Sequence, residues 1–199
     1  LRDKDNSHSY STVNKIKPMA LNFELNARLS TLSWEAYDEH LSMDELKARY
    51  QEIICNPRMS KWMVLFLVAC ANASFCRLFT GDIQAMGIVF VATLAGFFVR
   101  QKLTEFHLNH LFVFIVSAFT ASMIGCTAVL YNIGNTPDIA LGTSVLYLVP
   151  GVPLINGVID VIEGHVLAGV SRLINAALLI ICLSIGLSLT LLLLGVNAL

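Results

Sequence analysis

The chain has 199 residues, of which 56% are hydrophobic and 14% are charged, with a mean hydropathy of +0.69. This composition excludes an ordinary soluble globular protein, and a net charge of −1 without a basic run gives no reason to expect nucleic-acid binding. Of the 27 charged residues, 18 lie in residues 1–61. The sequence therefore predicts a small polar module, residues 1–58, followed by a membrane domain, residues 59–199.

The N-terminal module is expected to be cytoplasmic and to lack its own first part. Residues 9–16 are rich in β-branched and hydroxyl side chains and predict a short strand, whose partner strand we expect upstream of the sequence. Apolar residues at helical spacing then predict an amphipathic helix that ends near Glu39. Ser42 and Glu45 form a capping-box pattern that predicts a second helix. The module is thus predicted to be a remnant strand plus a helical hairpin.

Five apolar runs follow, each long enough to cross a bilayer as a helix. They cover residues 62–81, 83–99, 108–131, 139–159 and 173–196. The expected fold is therefore an all-α membrane protein with five transmembrane helices. The short loops place five basic residues on one side of the membrane and one, Arg77, on the other; the five are Arg58, Lys61, Arg100, Lys102 and Arg172. This asymmetry predicts a cytoplasmic N-terminus and a C-terminus on the outside.

The fourth run interrupts its own helix with Pro150, Gly151 and Pro153. Each proline lacks an N–H group, so each is expected to free a carbonyl one turn earlier, at Leu146 and Val149. In a bilayer such groups are tolerated only where protein or a water-filled cavity satisfies them. A membrane segment interrupted in this way indicates a transporter binding site. A kink used only for helix packing is the alternative, because proline and glycine are frequent in membrane helices.

Polar residues after the break are candidate binding groups. Asn156 and Asp160 are four residues apart and share a helix face. Arg172 is expected to open the fifth span after a loop containing Gly164 and Gly169, from which it could fold back toward Asp160. An ionisable group in a membrane is a functional hypothesis by default, although Asp160 could also be an ordinary carboxylate in the headgroup zone. Two further amides need a partner or water inside the membrane: Asn72 and Asn175.

No motif of an enzyme or of a cofactor site is present in the sequence. It contains neither a phosphate-binding loop nor a nucleophile elbow. His107 and His110 have a spacing that could suit a metal, but no third ligand is near them. The five cysteines form no C-x-x-C pair. We therefore expect a protein that is not an enzyme and that uses no cofactor and no metal.

Three stretches resemble the threonine/serine exporter family of bacterial secondary transporters. They are LSMDELKARYQEI, FCRLFTGDIQAMGIVFVATLAGFFVR and YLVPGVPLINGVIDVIEGHVLAGVSRL. The third is the most specific, since its L-V-P-G-x-x-L-x-N-x-x-x-D core and later G-x-x-R-L are similar to the family signature. The match covers nearly the whole chain and corresponds to the first five-helix half of the family. The resemblance implies a second five-helix half, which a split form, similar to a dicarboxylate (succinate) exporter, carries on another polypeptide.

The resemblance implies a subunit of an inner-membrane exporter that is coupled to the proton motive force and acts on threonine and serine or on dicarboxylates. Its expected partners are a second five-helix subunit, further copies of the chain, or both. In this hypothesis the proline–glycine break exposes helix amides that hold a substrate carboxylate. Asn156 binds polar groups of the substrate, Asp160 binds an amino group or carries a proton, and Arg172 pairs with Asp160 or attracts an anion. A membrane scaffold that transports nothing, with the N-terminal module as a docking domain, is the competing hypothesis.

Overall fold

The computed structural model describes residues 23–55 and 59–195. Every regular element in these two ranges is a helix, as predicted for the membrane domain and for the hairpin. The chain divides into two compact units, Leu1–Arg58 and Met59–Leu199. The strand predicted at residues 9–16 lies outside the described residues.

The first unit contains a pair of helices that pack against each other, α1 (Phe23–Asp38) and α2 (Met43–Cys55). Leu32 of α1 is buried, and an ion pair joins the two helices, with 2.7 Å between Arg49 Nη1 and Glu35 Oε2. The hairpin predicted from the apolar spacing is therefore present. Because both partners of the ion pair are well exposed, the pair itself contributes little stability.

The predicted capping box at the start of α2 is confirmed. The Glu45 N–H donates to Ser42 Oγ at 3.3 Å, and the Ser42 N–H donates back to Glu45 Oε2 at 3.2 Å. The Ser42 hydroxyl also donates to the same carboxylate. These hydrogen bonds stabilise the charged form, and the pKa of Glu45 is lowered by the Ser42 hydroxyl first and its backbone N–H second.

The described part of the second unit, residues 59–195, contains six α-helices and a short 3₁₀ turn. They are α3 (Lys61–Leu78), α4 (Ile83–Glu105), α5 (His110–Leu130), α6 (Pro137–Ser144), the turn Leu146–Leu148, α7 (Gly151–Ile162) and α8 (Val166–Leu194). Four of the helices, α3, α4, α5 and α8, are long and apolar enough to cross a membrane. The segments 137–148 and 151–162 are long and apolar enough to cross a membrane only when they are taken together. They are bent by 63° at the break between them.

The first two helices differ from the predicted spans at their C-terminal ends. α3 ends at Leu78 and not at residue 81, because Thr80 takes a left-handed conformation (φ +66°) and the Gly81 N–H closes the helix end on the Cys76 carbonyl. α4 continues to residue 105, six residues beyond the predicted end. The charges that were expected to end this span are good helix formers. Arg100 therefore lies inside the helix and not in a loop.

The last helix begins seven residues before the predicted fifth span. α8 starts at Val166, so Gly169 and Arg172 lie inside the helix and not in the preceding loop. The short connection from α7 contains Gly164 at φ +89°, a backbone conformation that glycine adopts without strain. Arg172 therefore approaches α7 through helix packing, and the expected folding back of a flexible loop is wrong.

α8 runs parallel to α5. The hydroxyl oxygens of Ser122 and Thr190 lie 2.6 Å apart, and a Cβ placed on Gly186 would be 2.6 Å from the Ile115 carbonyl oxygen. Residue numbers therefore increase in the same direction along both helices, and the bent pair returns the chain to the side where α5 begins. At 1.5 Å per residue, the first part of α8 extends roughly 20 Å beyond the start of α5.

The core of the second unit is built from small side chains. Two clusters of buried residues hold it together, one centred on α5 with the 3₁₀ turn and α8, the other joining α3, α4, α5 and α6. Alanine and cysteine are frequent in both, with Ala118, Ala121 and Cys182 in the first cluster and Cys76, Ala85, Ala128 and Ala140 in the second. Small residues allow close approach of helix backbones, which is how helices associate where no water drives them together.

Candidate functional site

The break between α6 and α7 is present, but its carbonyls are not free. The Leu146 carbonyl accepts from the Val149 N–H at 3.1 Å, and the Val149 carbonyl accepts from the Gly151 N–H at 2.9 Å. The prediction that the two prolines leave both groups without partners is therefore wrong. A 3₁₀ turn followed by a tighter turn pairs them locally, and Pro150 then stands at the start of α7.

The amides at the start of α7 are also largely committed. The Gly151 N–H is used within the break, Pro153 has none, and the Leu154 N–H donates to the Pro150 carbonyl at 3.2 Å. Among the first four residues of α7, only the Val152 amide has no acceptor in the described part of the chain. The start of α7 is thus a poor anion site compared with an ordinary helix N-terminus, which offers several free amides.

Asp160 and Arg172 do come together, on the facing sides of α7 and α8. Arg172 Nη1 lies 2.8 Å from Asp160 Oδ2, yet no N–H is aligned with that oxygen, so the contact is an ion pair without a hydrogen bond. The Arg172 side chain is 53% exposed and that of Asp160 is 20% exposed. The helices approach closely because Gly169 packs on the Gly157 backbone, where a Cβ would be 2.6 Å from the carbonyl oxygen. The pair lies on the part of α8 that extends beyond α5.

The three candidate amides occupy different surroundings. Asn156 on α7 and Asn175 on α8 are exposed in the chain. Asn72 is buried, and its Nδ2 donates to Thr93 Oγ1 at 2.7 Å and to the Thr143 carbonyl at 3.0 Å. It therefore joins α3, α4 and α6. The residues singled out from the sequence consequently do not form a single site.

A cation that the sequence reasoning placed in a loop lies half-buried against two aromatic rings. Arg100 Cζ is 4.9 Å from the centre of the Phe114 ring and 5.8 Å from that of Phe97. Its guanidinium makes no hydrogen bond and no ion pair with any residue that the structure describes. In contrast, five other cations each have a carboxylate oxygen within 4.0 Å: Arg28, Arg49, Lys61, Lys102 and Arg172.

Two residues whose hydroxyl groups have no hydrogen-bond partner among the described residues pack at Gly96, one helical turn before this cation. The Tyr147 ring packs edge-on against Phe97, with 6.0 Å between ring centres, and its hydroxyl is buried without a hydrogen bond, as is Ser117 Oγ. The site depends on Gly96, since a Cβ there would collide with the Tyr147 hydroxyl and lie 3.1 Å from the Ser117 carbonyl oxygen. We call Arg100, Ser117 and Tyr147 the Arg100 cluster. Its sequence signal is an arginine inside an apolar helix and a tyrosine directly before the L-V-P-G motif.

Four long apolar helices and a bent helix pair define a multi-pass membrane protein. The chain belongs to the threonine/serine exporter family, since the family profile described as "Putative threonine/serine exporter" (ThrE) matches residues 1–194. This membership, implied by the signature around the break, is confirmed.

Two curated relatives carry the same name, "Probable succinate transporter subunit YjjP". The protein from Escherichia coli (strain K12) is 38% identical over 130 residues, which are 65% of this chain and 51% of the relative. The protein from Klebsiella aerogenes is 35% identical over 152 residues, which are 74% of this chain and 58% of the relative. The chain thus spans about half the length of these relatives. No solved structure was found to match it.

Proposed function

We propose that this chain is a subunit of a bacterial inner-membrane secondary transporter that exports small carboxylate-bearing solutes and is driven by the proton motive force. The observation that carries the proposal is the pair of helical segments bent by 63° within a unit of long apolar helices. Irregular backbone at membrane depth is tolerated only inside protein or along a cavity, and transporters form their sites at such breaks. Membership of an exporter family supports the same function.

The solute is either a small hydroxy amino acid or a dicarboxylate. The family description names threonine and serine, and the two relatives are named for succinate. All of these solutes carry at least one carboxylate. We therefore propose a path that recognises a carboxylate and treat the rest of the solute as the variable part.

We propose five membrane crossings, with the N-terminal module in the cytoplasm and the C-terminus outside. The parallel course of α5 and α8 supports this count, because the bent pair must then cross back between them. Lys61, at the start of α3, lies 2.6 Å from Glu105 at the end of α4, so these ends share one side. That side also carries Lys102, whereas Arg77 lies at the opposite end of α3. The distribution agrees with the positive-inside rule.

The functional unit is proposed to include a second five-helix subunit, with further copies of this chain as the alternative partner. Both relatives are named as subunits, and the broken segment occurs once in this sequence. Transporters built from inverted repeats need two such halves. The exposed face of α7 supplies an apolar surface for contact with a partner or with lipid, including Ile155, Val158 and Ile162.

Within this unit, the break at Pro150, Gly151 and Pro153 is the proposed hinge of the solute path. Asn156 and the Asp160–Arg172 pair are proposed to line its cytoplasmic approach, as is Asn175 one turn beyond Arg172. Asn72 has a different proposed role. Because its amide nitrogen is already bonded to two helices, we assign it to holding the bundle together and not to the solute.

A cysteine-accessibility scan of residues 146–160 tests the proposal against the scaffold hypothesis. The five native cysteines are first replaced, because accessible ones such as Cys55 would themselves react with the maleimide. Single cysteines are then labelled from the cytoplasmic side with a hydrophilic maleimide in intact membranes. We expect labelling on one face of the segment through the break and protection by an excess of exported solute. A segment that is inert along its whole length, in a complex that also moves no solute, would instead support a scaffold.

A further inference from the structure

Arg100 poses a physical problem that the described chain does not solve. A guanidinium keeps its charge at any relevant pH and presents five N–H donors. Phe97 and Phe114 cover its faces at cation–π distances, but aromatic rings leave the in-plane donors unused. A cation that is withdrawn from water without an anion or acceptors is strongly unfavourable. Arg100 is half-buried, so part of this cost applies to it, and an anion beside its guanidinium would offset that part.

No carboxylate of the second unit is available to be that anion. Within residues 59–195, Asp82 and Asp138 lie at the ends of the helices opposite to Arg100, and Glu163 lies at the end of α7. The other two carboxylates already have cations: Glu105 contacts two lysines, and Asp160 contacts Arg172. The nearest further titratable group is His110, whose ring packs 4.7 Å from the Phe114 ring centre. A protonated histidine would add positive charge and would not offset that of Arg100.

The two buried hydroxyls near Arg100 point to the same kind of ligand. The Tyr147 hydroxyl and Ser117 Oγ each have a proton to donate and no acceptor. Both residues pack at Gly96, one helical turn before Arg100, so three groups that can donate lie in this part of the bundle. A carboxylate has two oxygens with several lone pairs, and it binds arginine side-on through two hydrogen bonds. A carboxylate bound beside Arg100 would supply acceptors of the kind that these groups lack.

The place of the cluster suits a solute that enters from the predicted cytoplasmic side. Arg100 lies five residues before the end of α4, which is about 8 Å along the helix. Tyr147 lies in the 3₁₀ turn, three residues before Pro150. A ligand held between them would contact the turn that precedes the 63° bend, so any change in the bend would move one of the donor groups.

On these grounds we propose that Arg100, Tyr147 and Ser117 bind a carboxylate group of the exported solute, an inference that rests on the transport function proposed above. The charge of the site also selects among carboxylates. A zwitterionic amino acid needs an anion for its ammonium group, and the second unit offers none among the described residues around Arg100. The site therefore favours an anionic acid, such as a dicarboxylate, over a zwitterion.

Equilibrium binding of radiolabelled succinate to the purified complex, with this chain and its partner subunit co-expressed, tests the site. Tyr147→Phe removes one hydroxyl and keeps the ring, and Arg100→Gln removes the charge. Removing a hydrogen bond to a charged group weakens affinity by about 10-fold to 100-fold. We expect about 10-fold weaker binding for Tyr147→Phe and about 100-fold for Arg100→Gln. The controls Tyr131→Phe and Lys102→Gln, both on exposed side chains, should stay within about twofold of the wild type.

Size-exclusion chromatography and the melting temperature show whether each variant folds and assembles. Unchanged succinate affinity in a folded Arg100→Gln complex would overturn the site and leave the transport function standing. Loss of the partner from Arg100→Gln, with normal binding by Tyr147→Phe, would show that a carboxylate of the partner pairs with Arg100. In another outcome, phosphatidylglycerol stabilises the wild type but not Arg100→Gln, while succinate affinity stays unchanged. That result would show that Arg100 binds a lipid headgroup and not the solute. Tighter binding of threonine than of succinate would overturn the charge argument, and a wild-type complex that binds neither solute would refute the transport proposal itself.

Discussion

Two arginines of the second unit occupy opposite environments. Arg172 is more than half exposed and has a carboxylate 2.8 Å away. Arg100 is half-buried between aromatic rings, one helical turn from two residues whose hydroxyls lack partners, and has no carboxylate at ion-pair distance among the described residues. By the parallel register of α5 and α8, the two lie roughly 15 Å apart along the helix axes. They therefore belong to separate places in the molecule.

The difference shows which kind of charge indicates a binding site. An arginine that already has its counter-ion needs no further anion. An exposed ion pair of this kind contributes about 1 kcal/mol at most to the stability of the fold. A half-buried arginine without a counter-ion carries part of the desolvation penalty, and an anion that binds beside it offsets that penalty. The first kind stands out in a sequence because it lies next to a motif. The second kind becomes visible only when the helices are placed.

The largest effect is expected at Gly96, on which the Arg100 cluster depends. In Gly96→Ala the new Cβ would meet the Tyr147 hydroxyl and lie 2.9 Å from the Ala121 Cβ, so α4, α5 and the 3₁₀ turn must separate. Overpacking of this kind costs about 1–3 kcal/mol. The melting temperature of the purified complex should fall and succinate binding should weaken.

Gly87→Ala is the matched control for this change. It lies on the same helix, and a Cβ there would meet nothing within 4 Å. Alanine is the better helix former, so the control should be neutral or slightly stabilising. Equal melting temperatures for the two variants would show that the close approach at Gly96 does not exist in the assembled protein.

A comparable loss is expected at Asn72. Asn72→Leu leaves the Thr93 hydroxyl without its donor and removes the bond to the Thr143 carbonyl. Losing buried hydrogen bonds costs about 1–3 kcal/mol. Asn175→Leu, on an exposed side chain, should change the melting temperature much less. If the Asn72 variant is as stable as wild type but binds solute poorly, its amide belongs to the solute path and not to the bundle.

The Asp160–Arg172 pair should show a smaller effect. Because Arg172 is 53% exposed, the interaction energy from a double-mutant cycle of Asp160→Asn and Arg172→Gln should be below about 1 kcal/mol. The cycle is measured by urea or thermal denaturation of the complex. An interaction of several kcal/mol would mean that the partner subunit buries the pair. The exposure to water of Arg172 would then resemble that of Arg100.

The smallest effect at neutral pH concerns Asp82, which lies at the end of the helices opposite to Arg100. Its carboxylate accepts from the Asn135 N–H and the Ala85 N–H, each at 2.7 Å. These bonds, that from Asn135 first, lower the pKa of Asp82. The stabilisation is therefore present above the unfolded pKa of about 3.9 and is lost as the pH falls through the lower folded value.

Melting temperatures measured between pH 7 and pH 3 test this assignment. The wild type should lose stability toward the acid end of that range, and Asp82→Asn should lose less because it has no proton to take up at that site. An identical acid dependence in both proteins would assign the loss to other carboxylates and leave Asp82 without this role.

Much of the helical architecture could be predicted from the sequence, because long apolar runs and prolines act locally. The four long helices, the break at Pro150 and the capping box of Ser42 and Glu45 follow from such local signals. The helix ends were harder. α4 passes through Arg100 and Lys102, since a charge near the end of a span does not by itself stop a helix.

The binding residues were harder to predict for a different reason. Asp160 and Arg172 lie within one signature and meet as expected. Arg100, Ser117 and Tyr147 come from three separate segments, and what sets them apart is a lack of partners. Whether a hydroxyl or a guanidinium is satisfied depends on every neighbour in space. Periodicity and spacing within one sequence contain no such information.

Transport by the reconstituted complex tests the central claim, that this chain forms part of a carboxylate exporter whose path passes the break. Proteoliposomes that contain the chain and its partner subunit are loaded with unlabelled succinate and mixed with radiolabelled succinate outside. We expect labelled succinate to accumulate inside the liposomes by exchange. The exchange rate should be markedly lower in Tyr147→Phe and equal to the wild-type rate in Tyr131→Phe. A complex that folds and assembles, yet exchanges neither succinate nor threonine, would contradict the claim.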